Sequence, residues 1–260
     1  IGASNFGARK KVPNSLEDIK EIVDYAHKFY VKVHVTVNTV LTDDELFQAK
    51  ELIQKLYDIG VDAVIVQDMG IFKLALDGEL PPIVLHASTQ CDNRTLEKVK
   101  FFDNMGISRV ILARELSLEQ IKEICQNSNT EIETFIHGAM CISYSGRCLL
   151  SNYLAGRDAN QGACTHPCRW KYSIVEEKRP GEYMPVFENE RGTYIFNSKD
   201  LCMIEHMDDI INSGIDSLKI EGRMKTALYV ATVARTYRKA IDDYMESPEK
   251  YQANMPWYQE

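Results

Sequence analysis

From residue 31 to about 137 the chain alternates short apolar runs with amphipathic stretches. Residues 31–40 carry valine at every second position in their first half, a period of two that predicts a strand with one face buried. Thr42 and Glu45 have capping-box spacing and Gly60 supplies a stop, so a helix is predicted between them. Residues 63–68 form the next apolar run, a short helix follows, and Pro81-Pro82 precede a strand over 83–88. The same reading predicts a helix over 94–104, a strand over 109–114, a helix over 117–127 and a strand over 132–137. A long irregular stretch comes next. Beyond it the pattern predicts a helix over 201–213, a strand over 217–221 and a helix of about five turns over 226–246.

The turns Gly60-Val-Asp-Ala, Gly106-Ile-Ser-Arg and Gly214-Ile-Asp-Ser open three strands in one way. Glycine ends a helix, an apolar residue packs, and the strand begins. Strands that alternate with helices imply a parallel sheet, either a barrel or an open doubly wound sheet. No glycine-rich dinucleotide turn follows any strand, which favours the barrel. The expected fold is therefore α/β, a TIM-like (β/α) barrel over residues 1–137 and 199–246. Six strands are legible and a seventh is truncated near Ile1, whereas a full barrel has eight. The first βα unit is thus expected to be missing, the chain opening inside or just after a strand. Residues 138–198 form a cysteine-rich insertion before the last strand, and 247–260 a tail or the start of a further domain.

Composition narrows the function classes. With 260 residues, 45% of them hydrophobic, the chain can bury a sizeable core. A formal net charge of -8 argues against a generic nucleic-acid coat, though a local basic patch is compatible with it. No apolar run approaches the ~20 residues of a membrane span, and no signal peptide opens the chain, so a cytoplasmic setting without membrane contact is expected. Seven cysteines, an odd number without secretory features, suggest metal or redox chemistry rather than disulfides.

In (β/α) barrels the chemistry sits at the C-terminal ends of the strands. Those ends carry Asn38, Gln67, Asp68, His86, Ser88, Arg114, Glu115, His137, Glu221 and Arg223. Glu133 and Lys219 lie inside strands at alternating positions, where they can face the interior and pair. Gln67, Asp68, Arg114, Lys219 and Arg223 are candidate binders of a small carboxylate or phosphate, which guanidinium groups grip through two bonds. His86, His137, Glu133 and Glu221 are the candidate acids and bases. The insertion holds Cys141, Cys148, Cys164 and Cys168, with Cys202 beyond it. Clustered thiolates suit a metal or an iron–sulfur cluster. The C-x6-C and C-x3-C spacings match neither a zinc ribbon nor a ferredoxin run, so spacing leaves the ligand set open. Tyr144, Arg147, Arg157, Arg169, Trp170, Lys171 and Tyr172 add aromatic and basic character suited to RNA contact, or to ordinary packing of a small subdomain.

The stretch Glu133-Thr-Phe-Ile-His-Gly-Ala-Met-Cys-Ile-Ser-Tyr-Ser-Gly-Arg-Cys-Leu-Leu-Ser151 resembles the signature of the collagenase-like peptidase family U-32. The segments 157–170, 197–202 and 217–224 are similar to its tRNA-hydroxylation branch. That resemblance implies 5-hydroxylation of wobble uridine in tRNA with prephenate as co-substrate, a small dicarboxylate held by Arg114, Lys219 and Arg223. It also implies a 4Fe–4S cluster on Cys141, Cys148, Cys164 and Cys202, with Cys168 as the alternate ligand, while Cys91 and Cys125 are structural thiols. Two other readings accompany it, a collagenase-like peptidase and a non-catalytic RNA-binding accessory protein with a structural cluster. No Gly-x-Ser-x-Gly elbow or His-Glu-x-x-His helix supports the peptidase, whose remaining route is a Cys–His dyad such as Cys141 with His137.

Overall fold

The computed structural model describes residues 1–8, 14–141, 143–170, 173–175, 177–185 and 200–251. A first helix, α1 (Leu16–His27), starts at a capping box in which Ser15 and Asp18 satisfy each other's backbone N–H groups. The strands and helices then alternate: β1 (His34–Val37), α2 (Asp43–Ile59), β2 (Ala63–Val66), α3 (Met69–Leu76), β3 (Val84–Ala87), α4 (Leu96–Asn104), β4 (Arg109–Ile111), α5 (Leu118–Gln126) and β5 (Glu131–Ala139). The insertion contributes α6 (Leu150–Ala155) and an antiparallel hairpin of β6 (Ser173–Val175) and β7 (Tyr183–Pro185). After it come β8 (Asp200–Cys202), α7 (Met207–Ile211), β9 (Ser217–Ile220) and α8 (Ala227–Glu246).

Strands β1 to β5 pair in parallel in sequence order, and β9 joins β5 in parallel. With β8 lying antiparallel against the end of β5, the sheet has seven strands. Gly2 bridges Thr36 in parallel, so the first residues extend the sheet beyond β1. The two ends of the sheet approach each other. Arg223, just after β9, donates from Nη1 to Thr36 Oγ1 on β1 at 2.8 Å. The sheet is thus a curved half-barrel, and the described residues do not make an eight-stranded closed one. Among them no helix is long and apolar enough to cross a membrane.

Alternation along the strands sorts the side chains. Val35, Val37, Val64, Val66, Ala87, Val110 and Leu112 face outward and are buried against Ile19, Ile53, Leu56, Phe72, Phe102 and Ile121 of the helices. The inner face carries a small apolar cluster, Ile65, Ile111 and Phe135 with Leu201 beside it. A third cluster seats α7 and α8 on Ile136 through Met207, Ile210, Tyr237 and Ala240.

The helix expected over 201–213 is corrected. Leu201 and Cys202 end β8, Ile204–His206 form one 3-10 turn, and α7 is short. Two factors decide this. The long strand β5 offers a free edge to residues 200–202, and Met203 N–H is claimed by Ile136 O and by Tyr237 Oη, each at 3.0 Å.

Candidate functional site

A cavity of about 380 Å³ opens at the C-terminal end of the parallel strands. Ile65, Ile111 and Phe135 supply its apolar surface, and Arg114, Lys219, Arg223 and Glu221 its charge. Arg114 lies with its guanidinium carbon 3.6 Å from the Phe135 ring centroid, and its Nη2 donates to Glu221 Oε2 at 3.3 Å. Asn38 donates to Ser88 Oγ at 3.0 Å and accepts from the Ala8 N–H at 3.0 Å, which fixes the loops on the opposite wall. Three cations against one carboxylate make the lining net positive, as an anionic ligand requires.

Glu133 lies deeper in the sheet, almost fully buried, and does not line this cavity. It accepts from Lys219 Nζ at 2.6 Å, Ser217 Oγ at 2.9 Å and Arg109 Nη1 at 3.1 Å. Burial alone would raise its pKa, but Lys219, Ser217 and Arg109 together hold the carboxyl below its ordinary value. The Glu133–Lys219 pairing anticipated from their alternating positions is present. It ties a group of the cavity wall to the polar interior.

His86 is buried in the same interior and also lies off the cavity lining. Its ring meets that of His34 edge-on at 4.8 Å, and its Nδ1 makes no hydrogen bond among the described residues. Burial, followed by the proximity of His34 and Arg109, pushes its pKa down to about 3. His86 is therefore neutral when folded, whereas in the unfolded chain it takes a proton near 6.5. Lowering the pH through 6.5 favours the unfolded state, at up to about 1.4 kcal/mol per pH unit for this one group. His34, also lowered by burial, adds in the same direction, and carboxylates such as Glu133 enter only below about 4.5. Urea unfolding should therefore show stability falling by at least about 2 kcal/mol from pH 6.5 to 4.5. His86→Leu should flatten much of that slope; an unchanged slope would show that His86 is not held neutral.

The other rim candidates are dispersed. Asp68 caps α3 by accepting from Gly70 N–H at 2.8 Å, and it also accepts from Leu41 N–H at 2.9 Å. Neither Asp68 nor Gln67 lines the cavity. His137 lines a separate apolar groove beside α8 with Cys202, Tyr229 and Tyr237, and its Nδ1 lies 3.3 Å from Tyr237 Oη.

The cysteines gather in a second, smaller cavity of about 90 Å³, lined by Cys141, Cys148, Cys164 and Cys168. The neighbouring thiols of Cys141 and Cys148 act on each other, which holds Cys148 toward the thiolate and Cys141 toward the thiol. The backbone N–H of His166 donates to Cys164 Sγ at 3.3 Å. The fourth sulfur here is Cys168 rather than Cys202. Cys202 sits in β8 opposite His137, with its Sγ 4.0 Å from Tyr237 Oη. That strand pairing, where a continuous helix was expected over residues 201–213, sets Cys202 in the groove beside α8. Among the described residues no three side chains stand at metal-coordinating spacing. As a donor set, four thiols around one small cavity fit a thiolate-bound iron–sulfur group. Cys91 and Cys125 lie elsewhere, their thiols pushed up by burial to about 12 and about 11.

The loop carrying Cys141 and Cys148 is pinned to the sheet. Glu115 accepts from Ser145 N–H at 2.7 Å and from Ser145 Oγ at 3.3 Å. Gly146, at φ 76°, lies directly against the Gln90 backbone. Gln90 had no assigned role in the sequence reading, because it follows β3 in a 3-10 turn with no motif of its own. Yet Gln90 and Arg114 line both cavities, so the anionic pocket and the thiol pocket adjoin across these two side chains. Tyr144 and Arg169 also line the thiol pocket, Arg147, Arg157 and Trp170 are exposed, and Lys171 and Tyr172 lie outside the described residues.

The family model for peptidase family U32 matches residues 1–260. The chain is 45% identical over 246 residues to 23S rRNA 5-hydroxycytidine C2501 synthase of Escherichia coli (strain K12), covering 95% of this chain and 36% of that protein. It is 39% identical over 261 residues to tRNA hydroxylation protein P1 of Bacillus subtilis (strain 168), covering 100% and 61%. To tRNA hydroxylation protein P of Escherichia coli (strain K12) it is 40% identical over 267 residues, covering 87% and 59%. The chain thus spans between roughly a third and three-fifths of these relatives. A match over its whole length, with identities of this order, places the chain in the peptidase U32 family.

Proposed function

We propose that this chain carries the reaction centre of an RNA-modifying hydroxylation enzyme acting at C5 of a pyrimidine, in tRNA the wobble uridine. The observation that carries the reading is the adjacency of the two cavities across Gln90 and Arg114. A small dicarboxylate co-substrate, prephenate by resemblance, would occupy the larger cavity. Arg114 and Arg223 would grip its carboxylates, Lys219 would add charge from below, and Phe135 would pack on its apolar part. Cys141, Cys148, Cys164 and Cys168 would hold a 4Fe–4S cluster, which when bound supplies one-electron chemistry next to that co-substrate. Glu221 keeps Arg114 oriented until a substrate carboxylate takes its place. The names of the three relatives, two tRNA hydroxylation proteins and an rRNA hydroxycytidine synthase, support the substrate class.

The peptidase reading loses its suggested dyad, since Cys141 and His137 line different cavities. One observation still speaks for it: Cys202 stands directly opposite His137, both facing an apolar groove. Single cysteine variants separate the two readings. After anaerobic purification, Cys168→Ser should lose most of its iron and sulfide, and Cys202→Ser should retain both. Wild-type protein should restore the hydroxylated pyrimidine in RNA of cells lacking it, and the Cys168→Ser protein should not. Iron-free wild-type protein with peptide cleavage abolished by Cys202→Ser would instead establish the peptidase.

A further inference from the structure

The thiol cavity has an aromatic lip that neither the cluster nor the dicarboxylate uses. Tyr144 lines that cavity and is 56% exposed. One face of its ring is covered, because the Arg94 guanidinium carbon lies 3.9 Å from the ring centroid. Arg94 is itself held by Asp92, with Nη2 to Oδ2 at 3.0 Å and Nε to Oδ1 at 2.5 Å. Asp92 sits at φ 62° in a tight turn after Thr89–Cys91, so the support begins in the backbone. The exposure of Tyr144 must then belong to the opposite face and the edge of the ring. Arg147 lies one turn further on, its side chain 64% exposed and its Nε 3.7 Å from Asp92.

A flat, pre-positioned ring with one open face at the mouth of a reaction cavity suits a planar ligand. A pyrimidine cannot present C5 to a cavity while stacked in a helix, so it must leave the stack, and a new stacking partner offsets the cost. An exposed arginine beside the ring matches the phosphate that such a base brings with it. The overall charge of -8 argues against a broad electrostatic grip, which places more of the binding on local contacts of this kind.

We propose that Tyr144, backed by Arg94, is the platform on which the unstacked target pyrimidine lies, with Arg147 meeting an adjacent phosphate. This rests on the RNA-modification reading and adds the point of base contact. The cation beneath polarises the ring and restricts its rotation, so the platform is formed before RNA arrives.

The test uses the full chain and a short RNA hairpin with uridine at the top of its loop, together with the same hairpin abasic at that position. Tyr144→Ala should weaken binding of the uridine hairpin about tenfold or more. Tyr144→Phe should bind within about twofold of wild type, since the ring and not the hydroxyl is used. On the abasic hairpin wild type and Tyr144→Ala should bind alike. Arg147→Gln should lower the salt slope of binding by about one. Tyr144→Ala binding the uridine hairpin as tightly as wild type would overturn the platform while leaving the RNA reading in place. An equal loss on the abasic hairpin would overturn it too, as a contact to something other than the base. Wild-type protein that binds neither hairpin would remove the RNA reading itself, and the platform with it. An unchanged melting temperature in Tyr144→Ala, expected for so exposed a side chain, ties any loss to the contact.

Discussion

Replacing Gly146 by alanine should release the cysteine loop from the rest of the site. Gly146 has φ 76°, and a Cβ built there would lie 2.0 Å from the Gln90 carbonyl oxygen and 2.9 Å from its carbon. Both are backbone atoms of a turn anchored between β3 and α4, so no side-chain rotation relieves the overlap. The left-handed conformation adds a strain of about 1 kcal/mol for alanine. Together these should cost about 3 kcal/mol or more, which the docked loop cannot absorb. Undocking breaks the Ser145–Glu115 hydrogen bonds and separates Cys141 and Cys148 from Gln90 and Arg114. Hydrogen exchange should show residues 141–148 deprotected while the main core stays protected, and iron retention by the proposed cluster should fall with it. Gly156→Ala is the control. Its φ of 61° is similar and nothing lies within 4 Å of the added carbon, so only the backbone strain is felt. Equal protection of the loop in the two variants would show that the contact with Gln90 does not hold it.

Arg114→Met should have the second largest effect, on binding rather than on folding. Arg114 is the one charged side chain that lines both cavities and is 10% exposed. Methionine keeps the apolar contact with Phe135 and removes the planar charge. Charge-assisted bonds to a substrate carboxylate contribute roughly 1.5–3 kcal/mol each, so affinity for a small dicarboxylate should drop about a hundredfold by calorimetry. Lysine at the same position should not restore it, because an ammonium neither stacks flat on Phe135 nor forks onto a carboxylate. Stability should fall by only about 1–3 kcal/mol, the cost of leaving Glu221, 18% exposed, without this partner. Glu221→Gln should act in the opposite sense, freeing Arg114 and tightening the dicarboxylate. Unchanged affinity in Arg114→Met would remove the anionic cavity from the reaction.

The repeating order of strands and helices was legible in the sequence because it depends on local period. Valines at alternate positions bury one strand face whatever surrounds them, and Thr42 with Glu45 caps α2 from three residues away. The strands at 34–37, 63–66, 84–87 and 109–111 fall inside the runs expected for them. The helix over 201–213 failed because its first residues answer to a partner far off in sequence. The apolar pattern of Leu201 and Ile204 fits a helix face, but the edge of β5 and the hydroxyl of Tyr237 take the backbone there. This also bears on the site, where the family resemblance assigned Cys202 and the structure lines the thiol cavity with Cys168.

The sequence by itself determined the α/β order, the family, the cationic rim residues Arg114, Lys219 and Arg223, and the presence of clustered thiols. Each of these is written in residue types and short spacings. Only the tertiary structure decided which of them meet. It sent His86 and Glu133 into the buried interior and His137 and Cys202 into a separate groove. It also drew Cys168 in beside Cys141, Cys148 and Cys164, and set Gln90 and Arg114 between two cavities. These outcomes depend on sheet curvature, on an antiparallel strand returning after the insertion, and on a glycine that lets one backbone lie against another. None of the three is a property of any short stretch of chain.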